Sequence, residues 1–263
     1  MKQIEQHRTV WLSDVHLGSR ECRAGLLLDF LSHTRCDTLY LVGDIIDLRK
    51  LRRSFFWPRS HTDVLRRILQ MCRDGTRVLY VPGNHDEDFR ALAGAKLGPI
   101  EIEQQLVHTT ADGKRFLVLH GDEFDGVLKC GALTAVVGHV GYRLLLTLNH
   151  LNHVVNELLG RPYWSLAQHL KTRVRGAVRY VLRFQSACVN AAREADVDGI
   201  ICGHIHKADI IEQEGLTYCN DGDWVESCTA LVESRSGQLS LRQWASRATT
   251  SEPSLTAPIR NAA

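Results

Sequence analysis

Residues 77–86 read RVLYVPGNHD, an apolar run that ends in a Pro-Gly turn and three polar side chains. Continuous apolar runs bounded by turn residues are typical of strands that are buried on both faces of a sheet. Residues 77–81 are therefore predicted to form a strand, and the turn at Pro82-Gly83 leads the chain into Asn-His-Asp. This segment shows the pattern of the whole chain, in which a buried strand carries metal-binding side chains at its end.

The same pattern occurs at four other places in the chain. Short β-like runs end at Ser13-Asp14-Val15-His16 and Gly43-Asp44, and later runs end at His120-Gly121-Asp122 and Gly203-His204-Ile205-His206. Helix-like segments separate the first three strands, and this alternation predicts an α/β sheet covered by helices. Because the strand ends of such sheets gather at one edge, we expect the five segments to converge there.

Seven side chains in these segments are suitable ligands for two adjacent divalent metals. Cations such as Mn²⁺ accept carboxylate, imidazole and amide-oxygen ligands together, and a carboxylate such as Asp44 has two oxygens and can bridge both ions. Any one of these residues alone is more often a turn, cap or ordinary polar residue. Five segments in order instead favour a metal pair that clamps a phosphoryl group and activates water. The predicted ligands are Asp14, His16, Asp44, Asn84, His120, His204 and His206.

The five segments resemble the signature of the calcineurin-like metallophosphoesterases, which combines D-x-H, G-D, G-N-H-D, a later H and G-H-x-H. The resemblance implies an α/β fold, a two-sheet β-sandwich flanked by helices. It also implies a metal-dependent hydrolase in which a metal-bridging water or hydroxide is the nucleophile. By the same resemblance, Asp14, His16, Asp44 and His206 hold one metal, and Asp44, Asn84, His120 and His204 hold the other.

The predicted catalytic residues are His85 and Asp86, which follow the ligand Asn84. An imidazole can donate a proton near pH 7, so His85 is the candidate for stabilising charge or protonating the leaving oxygen. Asp86 either orients His85 or caps a helix. Asn84 and His85 are also expected to contact the substrate.

The C-terminal run 218–229, YCNDGDWVESCT, is similar to a subgroup related to UDP-2,3-diacylglucosamine pyrophosphatase. That resemblance implies cleavage of a diphosphate in lipid A synthesis, with release of UMP and lipid X. The best-known branch of that subgroup has Arg where this chain keeps His85. The chain is therefore a divergent branch with the same activity, or a phosphodiesterase or phosphomonoesterase for another nucleotide or phospholipid. A non-catalytic scaffold is the third alternative, and the complete ligand set argues against it.

Residues 124 to about 195 show helical periodicity and little strand character, which predicts a helical insertion. The resemblance implies that this insertion forms a lid over the acyl chains of the substrate. Arg175, Arg179 and Arg183 make a stripe at four-residue spacing, which either binds phosphate or is simply exposed.

The single domain is predicted to span 1–245, and the Ser-, Thr- and Pro-containing tail 246–263 is predicted to be disordered.

Composition restricts the class of protein further. A net charge of +2 gives no general reason to expect nucleic acid as a partner. Eight cysteines without a C-x-x-C pair, and no N-terminal signal, favour reduced thiols in the cytoplasm. The most apolar stretch, 132–159, contains His, Arg and Asn residues that argue against a membrane span. The basic and aromatic segment 49–59 either contacts anionic lipid of the inner membrane or is a solvated loop with buried aromatics.

Overall fold

The computed structural model describes residues 3–126, 175–244 and 260–261 of the 263-residue chain. Two β-sheets form the centre of this part of the molecule, and α-helices cover their outer faces. In chain order the elements are β1 (Glu5–Leu12), α1 (Ala24–Ser32), β2 (Thr34–Val42), α2 (Leu48–Arg53), α3 (Arg59–Arg73), β3 (Arg77–Val81), β4 (Lys96–Leu97), β5 (Ile100–Ile102), β6 (Leu106–Thr109), β7 (Arg115–Val118), α4 (Arg175–Glu194), β8 (Gly199–Cys202), β9 (Asp209–Gln213), β10 (Leu216–Asn220), β11 (Thr229–Glu233), β12 (Leu239–Gln243) and β13 (Arg260–Asn261).

Each sheet has a parallel centre. The first has the order β12-β11-β1-β2-β3-β5-β4, and β1, β2, β3 and β5 run parallel. The second has the order β13-β9-β10-β8-β7-β6, and β10, β8 and β7 run parallel. Antiparallel strands flank the parallel strands of both sheets. In open α/β sheets, ligands bind at the loops that leave the carboxyl ends of the parallel strands.

The two sheets pack face to face around an apolar layer. Trp11 and Leu231 of the first sheet and Phe116 and Ile201 of the second belong to one buried cluster, and none of them is more than 2% exposed. Removing such large side chains from water is a main source of the stability of the sandwich. The outer face of the first sheet packs on α1 and α3, and that of the second packs on α4. The predicted sandwich flanked by helices is confirmed.

Most of the predicted elements are present with small changes of boundary. β1 and β2 begin four residues before their apolar runs, which start at Thr9 and Thr38, because polar residues at their amino ends still pair with one another. β4, β5, β6 and β9 were not predicted, because they are short and contain charged or polar residues that mask a strand pattern. These missed strands lie at or next to the edges of the sheets, where one side of the strand can be polar.

Parts of the sequence interpretation lie outside the described residues. This holds for most of the predicted insertion and for the apolar stretch 132–159; α4 supplies the helical end of the insertion. Arg260–Asn261 of the tail pair with β9, and the predicted disorder of the remaining tail residues stays a prediction. Among the described residues, no helix combines the length and apolar character needed to cross a membrane.

A buried carboxylate connects the two sheets away from the predicted metal ligands. Glu233 of β11 is fully buried and accepts hydrogen bonds from Arg8 Nη1 (2.6 and 2.8 Å) and Thr9 Oγ1 (2.6 Å), both on β1. It also lies 3.0 Å from Nε2 of His108 on β6, in the second sheet. Burial opposes the charge, but these partners lower the pKa of Glu233 to about 2.

We expect Glu233→Gln to lower the free energy of unfolding by about 1–3 kcal/mol at pH 7, because Arg8, Thr9 and His108 would lose a charged partner at a buried position. The folded pKa lies below the unfolded value of about 4.3, so the stabilisation is complete above about pH 5 and is lost as the pH falls toward 2. Urea unfolding should therefore show a smaller difference between wild type and variant at pH 3.5 than at pH 7.

Glu87→Gln is the matched control, because Glu87 forms an exposed pair with Arg49. Exposed pairs contribute little, so this change should alter stability by less than about 0.5 kcal/mol. If both variants lost the same free energy at both pH values, Glu233 would not connect the sheets as described.

Candidate metal centre

The segments predicted to carry metal ligands meet at the carboxyl ends of strands from both sheets. Asp14, Asp44 and Asn84 follow β1, β2 and β3 of the first sheet. His120 and His204 follow β7 and β8 of the second. The predicted convergence is confirmed, and the candidate centre lies where the edges of the two sheets meet.

Many of the candidate ligands have left-handed backbone conformations. The φ angle is between 49° and 67° at Asp14, His16, Asp44, His204 and His206. Residues other than glycine seldom adopt positive φ, and such strain is typically found at functional sites. The loops are therefore held in conformations that the local sequence does not favour.

Two glycines allow these loops to pack directly on one another. A Cβ atom on Gly83 would overlap the carboxylate of Asp44, and a Cβ atom on Gly203 would overlap the side chain of Ser13. Only glycine permits such close approach of backbone to a neighbouring side chain. This explains why glycine directly precedes the candidate ligands Asn84 and His204.

One group of candidate ligands contains Asp14, His16 and His206, whose donor atoms lie within 4.8 Å of one another. Oδ1 of Asp14 is 3.1 Å from Nε2 of His206 and 3.8 Å from Nε2 of His16. Two atoms bound to one ion at about 2.1 Å are separated by about 3–4 Å, so this spacing fits ligands that share a cation. Asp14 is completely buried, which suits a carboxylate paired with a metal.

A second group contains Asp44 and His120 together with Asp14. Asp44 faces both groups, because its Oδ2 is 3.8 Å from Nε2 of His16 and its Oδ1 is 3.6 Å from Nε2 of His120. The two oxygens of one carboxylate thus point toward different imidazoles. This is the arrangement that a bridging ligand requires.

Several buried polar atoms of the centre have no hydrogen-bond partner among the described residues. Nδ1 of His120 lies 2.9 Å from the carbonyl of Val42 and donates to it, and Nδ1 of His16 lies 3.3 Å from Asp47. Metal-binding imidazoles use their second nitrogen in this way, which leaves the other nitrogen free for the ion. Because unpartnered buried polar atoms are costly, the residues fit a metal centre. The unpartnered atoms are Asp14 Oδ1, His16 Nε2, Asn84 Oδ1, His120 Nε2 and His206 Nδ1.

The electrostatic field of the centre favours positive charge. Burial lowers the pKa of an imidazole, but contacts with Asp14 and Asp47 raise the pKa of His16 to about 10. Burial likewise opposes a protonated His120, yet the neighbouring Asp44 raises its pKa. Burial also opposes ionisation of Asp14, and His206 and His16 nevertheless hold its pKa well below the usual range. Such a field suits a divalent cation.

The predicted ligand His204 lies beside the two groups of candidate ligands, and Asp125, which the sequence did not predict, holds its ring. Its ring centre is 5.2 Å from that of His120, and its Nε2 is 3.0 Å from Oδ1 of Asp125. The same carboxylate oxygen accepts a hydrogen bond of 3.0 Å from the hydroxyl of Tyr180 on α4. Since Asp125 occupies Nε2, Nδ1 is the nitrogen of His204 that remains for a metal.

We expect Asp125→Asn to weaken metal binding by about tenfold to a hundredfold, the usual contribution of a carboxylate that orients a metal-binding histidine. The measurement is competition for Mn²⁺ with a fluorescent chelator, with thermal unfolding of the metal-free variant as a check of the fold. Tyr180→Phe is the matched control, because it removes the other partner of Asp125 and keeps the contact with His204. Unchanged affinity in Asp125→Asn would contradict the orientation assigned to His204.

The predicted catalytic residue His85 is half-buried at the edge of the centre. Its Nδ1 is 2.9 Å from Oδ1 of Asp47, and its Nε2 is 3.9 Å from Oδ2 of Asp44. Asp47 therefore holds both His85 and the candidate ligand His16, one with each oxygen. With Nδ1 occupied by Asp47, Nε2 of His85 is directed toward the centre.

Sequence reasoning missed Asp47. An aspartate directly before a helix normally indicates an N-cap, and Asp47 does cap α2 by accepting from the backbone N–H of Lys50 at 2.9 Å. The available signal was its position three residues after Asp44 in the same loop. That spacing places a second carboxylate in reach of the residues that Asp44 contacts.

The prediction that Asp86 orients His85 is wrong, and its side chain does not cap a helix either. The buried carboxylate of Asp86 instead accepts from the backbone N–H groups of Gly83 (2.6 Å) and Ile45 (2.8 Å) and from the hydroxyl of Tyr80. Burial, followed by the charge of Asp44, raises the pKa of Asp86. Asp86 thus fixes the loops that carry Asp44 and Asn84 to each other.

The arginine stripe on α4 is partly described. The side chain of Arg175 lies outside the described residues, and Arg179 and Arg183 are exposed. A cavity of about 720 Å³ adjoins His120, and neither Arg179 nor Arg183 lines it. Contact of Arg175 and Arg179 with substrate therefore stays a prediction.

The basic and aromatic segment 49–59 combines features of both interpretations. Arg49 and Arg52 pair with Glu87 and Asp88, and Lys50 pairs with Glu21, so these cations are partly neutralised. Trp57 is half-buried and donates to Thr62, as a loop with buried aromatics would predict. Phe55 is 80% exposed and remains available for a contact with lipid. Membrane contact stays a prediction.

Three similar proteins carry the name UDP-2,3-diacylglucosamine hydrolase. The one from Neisseria meningitidis serogroup A is 25% identical over 241 residues, 81% of this chain and 88% of that protein. The one from Porphyromonas gingivalis is 25% identical, with the same shares of both chains, and the one from Haemophilus influenzae is 24% identical over 85% of this chain and 93% of that protein.

Solved structures resemble the fold only loosely. The phosphoesterase Yfce from E. coli is 13% identical, and the match covers 90% of this chain and 98% of that one with a TM-score of 0.42. Residues 7–208 match the calcineurin-like phosphoesterase family, a range that includes every candidate ligand from Asp14 to His206. The chain therefore belongs to the calcineurin-like phosphoesterase family.

Proposed function

We propose that the protein is a two-metal hydrolase that cleaves the diphosphate of UDP-2,3-diacylglucosamine to UMP and lipid X. The observation that carries the two-metal reaction is the position of Asp44, with one oxygen toward His16 and the other toward His120. The substrate rests on the similarity to the three hydrolases over most of the chain. The proposal therefore combines a site built for phosphate esters with a specificity taken from distant relatives.

We assign the residues to the metals as the family signature implies. Mixed nitrogen and oxygen donors suit Mn²⁺, which is the metal that we propose. Bound divalent ions polarise phosphoryl oxygens and lower the pKa of water. The first metal is assigned to Asp14, His16, Asp44 and His206, and the second to Asp44, Asn84, His120 and His204.

His85 supplies the proton chemistry that the chain itself can provide. Asp47 accepts from Nδ1, so Nε2 of His85 faces the centre, and in the imidazolium form Nε2–H can donate to a phosphoryl or leaving-group oxygen. Asn84 lies next to it with an unpartnered Oδ1. Asp47 is a positioning residue, because it acts through His85 and His16.

The C-terminal run that resembles the pyrophosphatase subgroup supports the ligand Asp14. Oγ of Ser13 lies 2.5 Å from Oδ1 of Asp221, and the backbone N–H of Trp224 donates to the carbonyl of Asp14 at 3.1 Å. Both residues of the run are fully buried. The run therefore serves the metal centre of this chain, whichever phosphate compound is the substrate.

The acylated part of the substrate requires an apolar surface near the centre. The helix α4 exposes Val178, Tyr180 and Leu182, and Tyr180 contacts Asp125 beside His204. We place the acyl chains on this side, under the predicted insertion, with the protein acting in the cytoplasm at the inner membrane. Phe55, on the segment 49–59, is the side chain that we expect to touch lipid.

The direct test is release of UMP from UDP-2,3-diacylglucosamine by the Mn²⁺-loaded protein. The proposal expects rapid, metal-dependent release, and it expects KM to rise sharply when the acyl chains are shortened. The retained His85 favours one alternative, a phosphodiesterase or phosphomonoesterase for another nucleotide or phospholipid. Hydrolysis of bis-p-nitrophenyl phosphate without UMP release would support that alternative and reject the proposed substrate.

A further inference from the structure

We infer that an open polar cavity next to His120 binds the nucleoside part of the substrate, an inference that rests on the proposed function. The cavity has a volume of about 720 Å³ and reaches His120 at one side. This volume is in the range of small-molecule sites. A group held here would therefore remain joined through its phosphate to the metal centre.

The lining of the cavity is polar and offers unoccupied hydrogen-bonding groups. Gln104 and Gln105 lie on the connection between β5 and β6, where the chain passes from one sheet to the other, and both are exposed. Among the described residues, no side chain or backbone group forms a hydrogen bond with their amides. A side-chain amide offers one acceptor and two donors, which can pair with the alternating acceptor, donor and acceptor edge of uracil.

The charges of the cavity favour a neutral group over a second phosphate. Arg90 is the positive residue of the lining, and both oxygens of Asp122 accept from its Nη2 at 2.7 and 2.8 Å. Glu103 and Glu123 add negative charge to the same walls. Carboxylates accept hydrogen bonds from ribose hydroxyls, as in dinucleotide sites, and they repel additional phosphates. The lining therefore suits a ribose and base that hang from a phosphate bound at the metals.

The neighbouring surface explains why the other half of the substrate would not enter this cavity. The short helix Asp122–Gly126 separates two environments, because Asp122 and Glu123 line the cavity while Phe124 packs on Phe184 of α4. Asp125, the next residue, contacts His204 and Tyr180. The polar and the apolar side of the centre thus adjoin along one segment, as an amphipathic nucleotide lipid requires.

The test uses UMP and inorganic phosphate as inhibitors of bis-p-nitrophenyl phosphate hydrolysis by the Mn²⁺-loaded protein. Wild type should bind UMP at least about tenfold more tightly than phosphate, since the nucleoside adds several hydrogen bonds. Replacing both Gln104 and Gln105 by Ala should weaken UMP about tenfold or more and leave the inhibition constant of phosphate unchanged. Gln238→Ala, on the exposed hairpin between β11 and β12, is the matched control and should change neither constant.

The outcomes separate this inference from the proposed function. Equal affinity of wild type for UMP and phosphate would overturn the inference even if UDP-2,3-diacylglucosamine is cleaved. If the double variant lost inhibition by both UMP and phosphate, the inference would also be overturned, because the substitutions would then have altered the metal centre itself. A preference for UMP that depends on the two glutamines would support it, even if the enzyme did not cleave the acylated substrate.

Discussion

Asp44→Ala should abolish turnover and release both metals. Asp44 is the carboxylate that faces the imidazoles of His16 and His120 at 3.8 and 3.6 Å, so its loss removes a ligand from each proposed ion. Loss of a residue that only orients a metal ligand typically lowers metal affinity or activity by about 10–100-fold. Loss of a ligand shared by two metals should therefore lower activity by at least about a thousandfold. Metal analysis of the purified variant and hydrolysis of bis-p-nitrophenyl phosphate measure the two effects.

The control for this experiment is Asp37→Ala, which makes the same change at an exposed residue. Asp37 pairs with Arg235 on the surface and has a side chain that is 55% exposed. Its removal should leave metal content and rate unchanged, because exposed pairs contribute little. An Asp44→Ala protein that kept both metals and its activity would disprove the assignment of the bridging ligand.

His85→Ala should lower kcat by about 10²–10⁴-fold and leave both metals bound, as expected when a proton donor is lost. The ring is not in either ligand group that surrounds Asp14, and its Nδ1 contacts Asp47. The measurement is kcat together with metal content.

Comparison with Asp47→Asn separates chemistry from orientation. This variant keeps the size of the side chain but disturbs both His16 and His85, so it should reduce metal affinity as well as rate. His85→Ala should alter the rate alone. Loss of metal in His85→Ala, or an unchanged rate, would contradict the role given to its Nε2.

The sequence predicted the strands that carry the site better than the strands that surround it. β3 has the predicted bounds, because buried strands are marked by continuous apolar runs. The candidate ligands could be proposed for the same reason: each segment that carries them follows such a run. β4, at one sheet edge, and β9, next to another, gave no such signal, since both carry charged residues.

The residues that the sequence did not reveal act through contacts between distant loops. Asp47 and Asp86 are both aspartates near ligands, and only the fold shows that the first holds two imidazoles while the second holds backbone N–H groups. Asp125 meets His204 across 79 positions of the chain. Spacing along the chain predicts which side chains reach the centre, but it does not predict which partner each of them finds there.

The order of strands in the first sheet has a consequence for synthesis on the ribosome. β1 leaves the ribosome long before its neighbour β11, which comes more than two hundred residues later. The candidate ligands likewise extend from Asp14 to His206, so a nascent chain that ends before His204 has neither β11 beside β1 nor a complete set of candidate ligands. β1 therefore keeps one edge unpaired until β11 has been synthesised, and the full set of candidate ligands is present only after His206.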